Sequence, residues 1–194
     1  MKEKKLNLPT ICHLVLMGLL CALSVVSVVI IFSGSVPAGF ETSGENYRTT
    51  ITLYGVAHIL NALALICGGV YLIKGSGKNV ATLYKCFILL VSLGVLSRLI
   101  GTFIHPGFGL SVCLMIAILI ALLVLTFVKD LGKRNSMIVL CVLLLLELVQ
   151  GIVSFDVNEV LSSIVGNLSR LVLAGTIGIA MSAKYADKEA RGTK

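Results

Sequence analysis

The chain has 194 residues, 57% of them hydrophobic and 13% charged, and its mean hydropathy is +1.04. That balance excludes an ordinary water-soluble domain. The formal net charge of +7 does not read as a nucleic-acid footprint, because the cations lie in the tails and in alternate connections between apolar runs. The expected partner is a lipid bilayer, with no nucleic acid.

Residues 1–10 form a basic N-terminus carrying Lys2, Lys4 and Lys5. The first apolar run, Ile11 to Ser33, is longer than the core of a secretory signal, about 7–15 residues, and therefore reads as an anchor. On the alternative reading, cleavage would fall at Val36-Pro37-Ala38. The segment Gly34 to Thr50 is too polar to span and longer than most connections, which suits either a tether or the mouth of a site.

Five further runs follow, at Ile51 to Ile73, Val80 to Ile104, Phe108 to Val128, Ser136 to Phe155 and Val160 to Ala183. Each meets the requirement of roughly 20 residues to cross about 30 Å of hydrocarbon. Breakers separate them: Ser33-Gly34-Ser35-Val36-Pro37, Lys74-Gly75-Ser76-Gly77-Lys78, His105-Pro106-Gly107, Lys129 to Arg134, and Asp156 to Glu159. The expected fold is all-α, a polytopic transmembrane bundle of about six helices over residues 11–183, followed by a basic tail at 184–194.

Lys74, Lys78, Lys129, Lys133 and Arg134 occupy alternate connections, and Lys184, Lys188, Arg191 and Lys194 the tail. The opposite connections hold Glu41, Glu45, Asp156 and Glu159 with Arg48 as their single cation. The positive-inside rule then places both termini in the cytoplasm and the protein in the cell membrane as a multi-pass species.

Charged and amide side chains inside the apolar runs are the informative anomaly: His58 and Asn61, Arg98, Glu147 and Gln150, and Asn167 and Arg170. Translocon scales put a central charge at about 2.5–3.5 kcal/mol, so such groups face a bundle interior or a wet cavity. Counting about 1.5 Å of rise per residue, all seven lie roughly 8–15 Å below the outer boundary. In three of the runs they share one helical face with Tyr54, Ser163 or Ser154, at i, i+4, i+7 in the first two and i, i+3, i+7 in the last. In the third run Gly94, Arg98, Gly101 and His105 form a stripe whose glycines admit a neighbour or a ligand.

Two arginines against one glutamate leave one positive charge if His58 is neutral. The expected arrangement pairs Glu147 with Arg98 or Arg170, leaves the other guanidinium to an anionic or zwitterionic small molecule, and uses His58 and Asn61 to orient it. The leading functional expectation is thus a transporter, or the substrate-capture subunit of one, with an outward-facing polar pocket. A second is a non-catalytic membrane subunit whose buried charges only set helix packing while its cytoplasmic face docks a protein partner. A third is a membrane-embedded lipid-processing enzyme acting through Glu147.

No metalloprotease, nucleophile-elbow or phosphate-loop motif is present, and no catalytic residue is assigned. Six cysteines at positions 12, 21, 67, 86, 113 and 141 lie in the apolar runs with no C-x-x-C pair, and read as buried small hydrophobes. No metal and no cofactor is expected. Small-xxx-small pairs at Gly18/Ala22, Ala64/Gly68 and Ala174/Gly178/Ser182 permit close helix contacts.

Overall fold

The computed structural model describes residues 7–33, 45–74, 80–104, 109–128, 131–154 and 160–192. Within them the chain forms six helices: α1 (Leu8–Phe32), α2 (Glu45–Lys74), α3 (Val80–Ile104), α4 (Gly109–Phe127), α5 (Gly132–Val153) and α6 (Val160–Gly192). All six contain a window long and apolar enough to cross a membrane. Helix is the outcome expected for such segments, because hydrocarbon offers no partner for backbone N–H and C=O groups and each span must satisfy its own.

Local chemistry sets the ends. Asn7 caps α1 by accepting a hydrogen bond from the Thr10 N–H at 3.2 Å, and Pro9 sits in the first turn, where its missing donor costs nothing. The helix therefore starts inside the expected N-terminal segment. α5 begins at Gly132, whose φ of +70° is open to glycine without strain. The breaker segments at 34–37, 75–78, 105–107, 129–130 and 156–159, with His105 among them, lie outside the described residues.

Two boundaries differ most from the apolar runs. Residues 45–50, expected in the long connection, are the first turns of α2, and residues 184–192 of the tail continue α6. Loss of hydrophobicity does not end a helix; a breaker does, and Lys-Tyr-Ala-Asp-Lys-Glu-Ala-Arg holds none before Gly192. The extension is tied down by Tyr185, whose hydroxyl donates to the Gly132 carbonyl at 3.1 Å and shares a 2.6 Å hydrogen bond with Ser136.

Each helix packs against the next in sequence, α6 returns to α1, and α2 touches α6 across the ring. The first span is a full member of this bundle: Met17 and Leu20 enter the core, and His13 meets Thr176 at 2.9 Å. α6 is the least apolar and the most buried span, whereas α1 and α4, the most apolar, are mostly uncovered. A soluble bundle has the reverse pattern. Here lipid replaces water around the outside, so Phe103, Phe127 and Ile152, each more than 70% exposed, stand where hydrocarbon would contact them.

The interior divides along the membrane normal. The apolar core, with Leu65, Phe87, Leu122 and Ile177, fills the half nearer the Lys74 and Gly132 ends and reaches the middle of the bundle at Ile118, Leu143 and Leu173. Most buried polar residues gather in the other half, Ser136 and Thr176 being the exceptions. Ala64/Gly68 and Ala174/Gly178 serve internal contacts, Gly68 against Phe87 and Met17 and Gly178 against Leu140. Gly18 and Ala22 face outward instead. The cysteines correct the expectation of burial: all six are free, four are exposed on the outer faces and Cys21 and Cys67 are half-buried.

Candidate functional site

The polar half is assembled from all six helices. α2 supplies Tyr54, His58 and Asn61, α3 supplies Ser97, Arg98 and Thr102, α5 supplies Glu147 and Gln150, and α6 supplies Asn167, Ser169 and Arg170. α4 adds Ser111, and α1 adds Ser24 and Ser27. Six of the seven residues anticipated from sequence are buried, none more than 6% exposed, and Asn167 is half-buried. Within the described residues these side chains are packed among the helices, and the outer connections that would form the mouth of a pocket lie outside the described residues.

Glu147 pairs with Arg170, the Nε to Oε2 distance being 3.5 Å. Arg170 Nη2 also donates to Asn167 Oδ1, one turn earlier on α6. Asn167 is itself anchored, its Nδ2 donating to the Gly151 carbonyl at 3.0 Å. Glu147 and Asn167 thus hold Arg170 from both sides, stitching α5 to α6. Gln150 extends the seam to α4 by donating to Ser111 Oγ at 2.6 Å.

Arg98 has a different environment. Its guanidinium carbon lies 5.9 Å from the centre of the Tyr54 ring, at the outer limit of a cation–π contact. Tyr54 is positioned by a 3.2 Å hydrogen bond between its hydroxyl and Thr102. Beyond the ring the guanidinium reaches α6 at Gly166, where a side chain would collide with it. The glycines of its own helix do not open a path to it: Gly94 packs against Asn61 and Gly101 against Leu53 and Tyr54, so α2 fills that stripe. Ser97 reinforces the α2–α3 contact by donating to the Leu53 carbonyl at 2.8 Å.

These groups form one electrostatic unit. Arg98 and Arg170 interact with each other and with Glu147, and His58 interacts with both arginines. Among the described residues, the buried donors Arg98 Nε, Arg170 Nε and Nη1 and Asn61 Nδ2 make no hydrogen bond, against two acceptors in the same condition, Glu147 Oε2 and Gln150 Oε1. Buried polar groups are nearly always satisfied, and an orphaned one signals a missing partner. The surplus here is of donors and of positive charge.

The buried hydroxyls of Ser24, Ser27 and Ser169, none with a hydrogen-bond partner among the described residues, were not anticipated. Serine is cheap enough in an apolar helix to carry no signal alone. The usable clue was position: Ser24 and Ser27 lie one turn apart at the depth of Arg98, counted from the same end of the bundle.

Comparison of the chain with protein-family models, with curated proteins and with solved structures finds no match, so the site rests on its own geometry.

Proposed function

We propose that the protein is a small multi-pass membrane protein that takes an anionic small molecule into its polar layer, as a transporter or as the substrate-capture subunit of one. One observation carries this reading. Arg98 is buried with Nε lacking an acceptor, and Arg170, although paired with Glu147 and bonded to Asn167, keeps Nη1 without one as well, so both guanidiniums present unsatisfied donors to the layer. A guanidinium in low dielectric is costly unless a counter-charge and acceptors surround it, and a carboxylate, sulfonate or phosphate supplies both.

Asn61 and His58 are buried on one face of α2 at the depth of the arginines and would orient the ligand. Positive-inside topology would place the layer toward the exterior of the cell membrane, so access would be from outside. The test is a thermal-shift screen of protein purified in a non-ionic detergent, against carboxylate, phosphate and sulfonate metabolites and lipid head groups. A ligand that binds the folded state must raise Tm. The expected result is a shift with a subset of anions that Arg98→Gln removes.

A second reading is favoured by the seam itself, because Glu147, Arg170, Asn167 and the Gly151 carbonyl already tie α5 to α6 without a ligand. On that reading the layer sets helix packing for a membrane subunit that docks a protein. Absence of any anion-dependent shift, together with full cellular function when Glu147 and Arg170 are exchanged, would select it.

A further inference from the structure

The charge balance of the layer goes further than "anion" and selects a charge class, an inference that rests on the anion-site reading above. Glu147 is the single acidic residue within the six apolar spans, and Arg98 and Arg170 are the two bases at its depth. Of the remaining groups in contact, the Tyr54 phenol is tied to Thr102, and Gln150, Ser111, Asn61 and Asn167 carry no charge. With His58 counted as neutral imidazole, the described residues of the layer carry one more positive than negative charge.

From this geometry we infer that the ligand carries a net charge of minus one, and that Glu147 is the residue that enforces it. A monoanion on Arg98 neutralises the layer. A dianion would leave it with an excess negative charge beside Glu147, and a zwitterion would leave the positive charge standing. Each mismatch is paid in a medium where uncompensated charge is far more costly than in water. Glu147 therefore acts as a built-in first anion: by occupying Arg170 it limits the space left to one further negative charge.

Three probes of similar head group separate the cases: methanesulfonate with one negative charge, sulfate with two, and taurine as a zwitterion. Binding would be followed by calorimetry and thermal shift on the full chain in maltoside detergent. Wild-type protein is expected to bind methanesulfonate at least about tenfold more tightly than either competitor, a factor corresponding to about 1.4 kcal/mol. Glu147→Gln removes the resident charge and is expected to reverse the order, with sulfate now tighter.

Equal affinities, or a preference for sulfate or taurine in the wild type, would overturn the charge-class inference while leaving an anion site in place, provided Arg98→Gln abolishes binding. If neither anion binds the wild type, the anion-site reading fails with it. Should Glu147→Gln not fold, the wild-type ratio alone decides.

Discussion

Gly166 offers the sharpest test of how Arg98 is held. A Cβ at this position would lie 3.2 Å from the Arg98 guanidinium carbon and 3.5 Å from Nη1, and would overlap Nη2. Arginine is flexible, but this one is 6% exposed, with the Tyr54 ring on one side, so retreat means leaving its place over the ring. Overpacking of this kind costs about 1–3 kcal/mol. At about 2 kcal/mol, a domain of this size loses on the order of 4–8 °C in Tm.

Gly166→Ala should therefore lower Tm by several degrees and also abolish the stabilisation conferred by anions, because the displaced guanidinium no longer faces the layer. Gly18→Ala is the matched control, since nothing lies within 4 Å of a Cβ at that position. Thermal unfolding of both variants in the same detergent, with and without methanesulfonate, measures the difference. A Gly166→Ala protein as stable and as anion-responsive as the control would refute the placement of Arg98 against α6, and with it the argument for a ligand at that guanidinium.

Asn167→Ala cuts the link from the Gly151 carbonyl to Arg170 and should cost about 1–3 kcal/mol, with a concurrent loss of the coupling between Glu147 and Arg170 in a double-mutant cycle. Tyr185→Phe removes the hydroxyl that bridges Ser136 and Gly132 and should cost about 1 kcal/mol; its local signature is faster amide exchange over residues 184–192, with the spans unaffected. Single cysteines introduced at Lys74 and Lys133 into a cysteine-free background should react with an impermeant maleimide only after the cells are opened, and reaction in intact cells would invert the expected topology.

How much of this was legible in the sequence follows from what each feature depends on. Spans are one-dimensional objects: the length of an apolar run against the thickness of a bilayer is enough to count six of them, and the six helices observed match those runs. Depth is one-dimensional as well, since rise per residue converts position into distance. That is why His58, Asn61, Arg98, Glu147, Gln150, Asn167 and Arg170 could be set in one layer before their neighbours were known.

Other features escaped because they involve two segments. The open alternative for Glu147, Arg98 or Arg170, was decided by α5 packing beside α6, and the stripe around Arg98 was filled because α2 lies against Gly94 and Gly101. The cysteines read as interior groups because an apolar helix shows the same composition on its lipid face and its core face. With hydrocarbon on one side and packed side chains on the other, only the observed neighbours distinguish the two.

What the sequence by itself determined is the partition between lipid and water: six spans, one buried acid, two buried arginines and the depth they share, all set by transfer energies that act residue by residue. What only the tertiary structure decided is who meets whom, from the Glu147–Arg170 pair to the Gly166 seat of Arg98 and the hydrogen bond between His13 on α1 and Thr176 on α6. Those contacts join helices up to the full length of the chain apart, and their energies depend on shape and distance, which no single segment encodes.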